Sequence, residues 1–142
     1  MMSQRERYEV RDASYSAWHR ADSTKRFIPL ADATRLSMID LDGAVWVEYA
    51  DATREPVAIL EAARDVGQDT KPATVCRRLA EMAGIEAWVV LYSLAEIMNP
   101  ADTNCHDISG FRVMRIHPPW DKGWVPCSPK QWCKKLMSMR TA

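Results

Sequence analysis

Long apolar runs are missing from this sequence. No window approaches the roughly 18 uninterrupted apolar residues that a membrane-spanning helix needs. The opening stretch MMSQRERYEV also lacks the apolar segment of a secretory signal, so a cytoplasmic protein without a membrane partner is expected. Glycine is scarce, five in 142 residues, and Gly43, Gly67, Gly84, Gly110 and Gly123 stand alone. Neither a P-loop nor a G-x-G-x-x-G run is present, and nucleotide binding of those kinds is not expected. The four cysteines, Cys76, Cys105, Cys127 and Cys133, form no C-x-x-C pair. Adjacent Cys105 and His106 are not at a usual chelating spacing, so reduced thiols are expected rather than disulfides or zinc. His106 and His117 lack the neighbours that a Ser-His-Asp or Cys-His scheme requires.

Net charge is absent too. Nineteen basic residues balance nineteen acidic ones, which argues against strong sequence-independent affinity for nucleic acid or anionic lipid. The zero is a sum of unlike parts. From Met38 to Asp69 eight acids face only Arg54 and Arg64, a net of −6, and from Gly110 to Ala142 seven bases face only Asp121, a net of +6. Such segregation suits a metal site flanked by a polyanion-binding surface, or an acidic region paired internally with the basic tail. Trp120, Trp124 and Trp132 lie among Lys122, Lys130, Lys134 and Lys135. They would either offer an aromatic, basic surface to single strands or pack the C-terminal helix onto the sheet.

What remains is ordinary for one globular domain: 47% hydrophobic and 27% charged residues, enough chain for one core. Tyr15 and Trp18 predict a short helix within 14–27. Asp42-Gly43 between apolar runs predicts a two-residue hairpin joining strands at 37–41 and 44–49; read as one bent strand instead, the run places Asp42, Trp46 and Glu48 on one face. DATREP is a second turn, and VAILEAAR a third strand. PATVCRRLAEMAGI predicts a helix with Val75, Leu79, Met82 and Ala83 as its apolar stripe, Thr70 as cap and Gly84 as stop. EAWVVLYSL reads as a buried central strand, NPADTNCHDISG as loop and FRVMRIH as a further strand. In the last helix Ser128 caps, Pro129 sits first and Trp132, Leu136 and Met139 point inward. The expectation is a single α/β domain over 1–142 with a mixed sheet, order α-βββ-α-β-β-α. Its core spans about 37–117, and a basic helical extension covers 118–142.

The βββαβ order, with Asp42 or Glu48 on the second strand and Glu61 on the third, resembles the PD-(D/E)xK superfamily, the restriction-endonuclease-like fold. The stretch EPVAILEAARDVGQ also resembles short proteins of bacterial phages and prophages. The resemblance spans about Ser37 to Leu94. It implies a Mg-dependent nuclease acting on DNA, with Asp42, Glu48 and Glu61 as metal ligands and Gln68 echoing a glutamine of some branches. The family's lysine two positions after Glu61 is Ala63 here. Arg54, Lys71 or His19-Arg20 would substitute for it, and His19, Arg20, Arg64 and Lys71 would contact nucleic acid.

Chemistry supports part of this. Phosphodiester cleavage needs an activated water and neutralised phosphoryl charge, which a magnesium ion held by converging carboxylates supplies. Glu48 and Glu61 lie in apolar surroundings, where an unpaired carboxylate costs several kcal/mol. A shared site, a buried pairing with arginine, and exposure at a sheet edge are the three alternatives. The missing lysine fits a second function: the same fold without catalysis, a phage accessory module that binds a host protein.

Overall fold

The computed structural model describes residues 14, 18, 23–36 and 41–140. The chain divides into two compact units, Met1–Asp40 and Leu41–Ala142. In the first, Ser14 and Trp18 are helical, Ser23–Arg26 forms a 3-10 turn and α1 is one turn over Leu30–Ala33. The remainder of the helix predicted at 14–27, with His19 and Arg20, lies outside the described residues.

The second unit is a five-stranded mixed sheet in the order β1-β2-β3-β4-β5, with helices α2 and α3. The strands are β1 (Gly43–Glu48), β2 (Arg54–Arg64), β3 (Glu86–Asn99), β4 (Asp102–His117) and β5 (Val125–Cys127); the helices are α2 (Thr74–Ala83) and α3 (Pro129–Met139). Only β2 and β3 run parallel, joined through α2. The other neighbours are antiparallel. The three helices and five strands among the described residues make a mixed α/β architecture, as expected. None of these helices is long and apolar enough to cross a membrane.

Alternation along the strands explains the two-sided core. Ala58, Trp88, Val90 and Val113 meet Trp132 and Met139 of α3 on one face, while Ile59 and Ala87 meet Cys76 and Ala80 of α2 on the other. Trp88 stands edge-on to Trp120 at 4.9 Å and to Trp132 at 5.8 Å. Ser128 caps α3 reciprocally: its Oγ accepts from the Gln131 N–H, and Gln131 Oε1 accepts from the Ser128 N–H. Pro129 occupies the first helical position, where its missing N–H costs nothing.

Several sequence expectations change. The turn expected at DATREP joins β1 to β2 at Tyr49–Thr53, but Asp42-Gly43 does not form the expected hairpin turn. Asp51 accepts from the Thr53 N–H at 3.0 Å and Ala52 takes φ +69°, whereas Gly43 is a strand residue paired with Leu60 and neither it nor Asp42 has positive φ. A type I′ turn would need positive φ at both. The strand expected at 37–41 falls largely on residues 37–40, outside the described ones.

The stripe of α2 also moves. Cys76 and Ala80 are buried, while Val75, Leu79 and Met82 are 47%, 39% and 73% exposed. Small side chains seat this helix close to the sheet, so its long apolar ones point away. Ala73, not Thr70, occupies the cap position, and Gly84 ends the helix at φ +69° as expected. The stretch read as loop before Gly110 is mostly strand. Beyond the Ser93–Gly110 pair, β3 and β4 continue as a two-stranded ribbon to their turn at Asn99–Asp102. Finally, the C-terminal helix packs inward through Trp132 and Met139 as expected, and so belongs to the core rather than to an extension beyond it.

Candidate functional site

Near the end of β2, side chains from four segments gather. Glu61 points to the α2 face. Its Oε1 lies 3.5 Å from Lys71 Nζ, and its Oε2 accepts from the Cys76 thiol at 3.5 Å. Asp42 stands one step beyond the Gly43–Leu60 pair of the β1–β2 ladder, and its Oδ2 accepts from the Ala62 N–H at 2.8 Å. Both acids therefore flank the same turn of sheet. Burial, then the bond to Glu61 and the charges of Glu61 and Asp42, push the Cys76 thiol up to about 11, with Lys71 opposing. The thiol stays protonated near neutrality and acts as a donor that orients Glu61. A small cleft of about 120 Å³ opens beside Lys71, also lined by Thr74 and Arg77.

Glu48 is elsewhere. It pairs with Arg54 at 3.1 Å at the far end of the β1–β2 hairpin. Seven residues of β2 separate Arg54 from Glu61, about 23 Å at roughly 3.3 Å per residue. The three acids Asp42, Glu48 and Glu61 are thus not brought together. Among the described residues, no three His, Cys, Asp or Glu side chains are grouped to hold an ion. Gln68 is occupied within its own loop, where Oε1 accepts from the Val66 N–H and Nε2 donates to the Arg64 carbonyl. These bonds hold the loop after β2 in shape. Arg64 is exposed, on the face opposite Glu61.

The loop after β2 is fixed by a contact 47 residues away. Arg112 on β4 donates from Nε and Nη2 to the two oxygens of Asp65, at 2.7 and 2.8 Å, and from Nη2 to the Gln68 carbonyl. Trp124 stacks under the guanidinium at 5.3 Å and donates to the Asp69 carbonyl. The Arg112 bonds, with the Gly67 N–H, hold the Asp65 carboxyl down at about 2, and Arg112 is raised in turn. This clamp sets the path that carries Lys71 to Glu61. An open cleft of about 580 Å³ lies beside it, lined by Ser93, Ser109, Phe111, Arg112, Ser128 and Gln131.

Sequence reasoning missed Cys76 and the Asp65–Arg112 clamp. Cys76 and Ala80, four residues apart, carry the signal of a small-residue helix face; nothing in the sequence ties Asp65 to Arg112. Compared with known families, with curated proteins and with solved structures, the chain matches none.

Proposed function

We propose that this chain is a metal-dependent phosphodiesterase of the PD-(D/E)xK kind acting on DNA. Asp42 and Glu61 serve as the cation ligands, and Lys71 stands in for the family's lysine. One observation carries this reading: the Lys71 amine reaches the Glu61 carboxylate from a neighbouring loop, beside a second acid, Asp42, just ahead of the adjoining strand. Ala63, which breaks the motif in sequence, is compensated in space.

The donor set fits a hard divalent ion. Magnesium is commonly held by one or two carboxylates together with substrate phosphate oxygens, so a third protein acid is not required. Bound there, Mg²⁺ supplies charge neutralisation at the phosphoryl group and a water of lowered pKa. The protein's own groups do the rest. Cys76 holds one oxygen of Glu61 in place, the Ala62 N–H orients Asp42, and Lys71 offers a positive charge to a phosphate once its carboxylate partner is otherwise engaged.

A second reading is favoured by the same contacts. Both oxygens of Glu61 already have protein partners, which suits a fold that has kept its architecture as a non-catalytic module binding a host protein.

Titration calorimetry with Mg²⁺ and Mn²⁺, alongside nicking of supercoiled plasmid, separates the two. The wild type should bind the ion and nick. Glu61→Gln should lose the heat and, with several kcal/mol of stabilisation removed, about 10³-fold of the cleavage rate. Lys71→Ala should retain the heat while losing cleavage. Absence of both signals in the wild type would overturn the catalytic reading in favour of the second.

A further inference from the structure

Among the described residues the basic tail pairs with the acidic middle through Asp65–Arg112 alone. Of the seven bases from Arg112 to Arg140, only Arg112 forms an ion pair with a carboxylate among the described residues. Arg115, Lys122 and Lys135 instead crowd one indole: their charged groups lie 5.5, 5.2 and 5.9 Å from the Trp120 ring centroid. Lys135 also sits 5.4 Å from the Trp88 ring. Lys130 and Lys134 project from the exposed side of α3, one turn and about 6 Å apart along its axis. The acids nearest in sequence and ladder are few. Asp121 is exposed in the 118–124 loop, and Glu86 accepts from the Trp88 indole.

Like charges gathered without anions repel one another, and an external polyanion relieves that repulsion. We infer that α3 and the 118–124 loop form a binding surface for the phosphate backbone of nucleic acid, with Arg115, Lys122 and Lys135 around Trp120 and Lys130 and Lys134 on the exposed side of α3. Ring contacts preorganise three of these cations, so less side-chain freedom is lost when phosphates arrive. The choice of DNA as the polyanion rests on the function proposed above; the surface itself does not. The net charge of zero does not oppose it, because among the described residues Asp65–Arg112 is the one ion pair between the −6 and +6 segments. Recognition of this kind is independent of base sequence and sensitive to salt.

The test is fluorescence anisotropy with a labelled 20-nucleotide DNA, single-stranded and duplex, in metal-free buffer containing EDTA over a range of salt. Binding should weaken as salt rises. The double variant Lys122→Gln/Lys134→Gln, with unchanged circular dichroism, should flatten the log–log slope by about 0.7–0.9 per lysine removed. No salt-dependent binding, binding indifferent to the double variant, or equally tight binding to phosphatidylserine vesicles would each overturn the inference. DNA binding through these lysines without any Mg²⁺ heat would leave the surface standing and remove only the catalytic reading. Metal-dependent nicking that ignores the double variant would do the reverse.

Discussion

Helix α3 meets the sheet through Trp132 and Met139 against Trp88, Val90 and Val113, whereas α2 meets the opposite face through Cys76 and Ala80 against Ile59 and Ala87. The first contact is aromatic and deep. Its tryptophans each bury on the order of 150–250 Å² and stand edge-on to one another. The second is narrow, and it ends beside a polar cluster of Glu61, Lys71 and Cys76. The difference teaches where stability and chemistry are placed. A face stabilised by large rings leaves the other face free to carry charged groups that a purely stabilising core would not tolerate. It also locates the charges: carboxylates gather at the α2 side of β2, and lysines without a carboxylate partner among the described residues gather on α3.

The most direct way to break this comparison is to cut the aromatic side. Trp88 is 1% exposed on the central strand, so Trp88→Ala should cost about 3–5 kcal/mol in urea unfolding. Cys76→Ala on the other face, equally buried, should cost only about 1 kcal/mol. Equal losses would mean that the two faces share the load and that the asymmetry is one of composition alone.

A smaller effect sharpens the role of the clamp between β2 and β4. The Asp65 carboxyl sits at about 2 in the folded chain against an ordinary 3.8, held down chiefly by Arg112. In acid the unfolded chain therefore takes up this proton first. The stabilisation is complete above pH 4 or so and is lost as pH falls from there through about 2. Melting temperatures of the wild type and Asp65→Asn, measured from pH 7 to pH 2, should differ at neutral pH and converge in that window. Curves that stay parallel down to pH 2 would show that the ionisation of Asp65 is not coupled to folding.

Local signals in the sequence placed several elements and failed where long-range pairing decides. EAWVVLYSL, with no polar residue between Ala87 and Leu91, is the buried centre of β3. SPKQW gives the cap and first turn of α3 with its inward Trp132. Gly84 marks a true helix end. By contrast, the 102–109 stretch pairs with β3 outside the five-stranded region, with water on its flanks. Without a buried face it shows no period-two alternation, and Asp, Asn, Thr and Ser dominate its appearance. The stripe of α2 misled for another reason: Val75, Leu79 and Met82 satisfy helical periodicity, but the sheet accepts Cys76 and Ala80. At the candidate site, Asp42, Glu61 and Lys71 were each visible as residue types. Their convergence depends on the β1–β2 register and on the loop that Arg112 and Trp124 hold. Neither is encoded within a window of neighbouring residues.

Glu48 gives the smallest expected effect and the sharpest distinction between the two carboxylates that the sequence made look alike. Both follow an apolar residue in a strand, yet Glu61 is shielded on the α2 face and Glu48 is exposed on the edge strand β1. Its partner Arg54 is shared with the Trp46 ring, 4.8 Å from the guanidinium carbon. A solvent-exposed pair of this kind is worth about 0–1 kcal/mol, so Glu48→Gln should move stability by no more than that. The Mg²⁺ heat should be untouched, because the side chain lies at the other end of the hairpin from Asp42. Measured beside Glu61→Gln in the same calorimetric titration, it separates position from residue type. If Glu48→Gln removed cation binding as Glu61→Gln is expected to, the ligand set would have to be drawn around the hairpin turn, and the lysine that reaches Glu61 would lose its meaning as a replacement for the one absent from the motif.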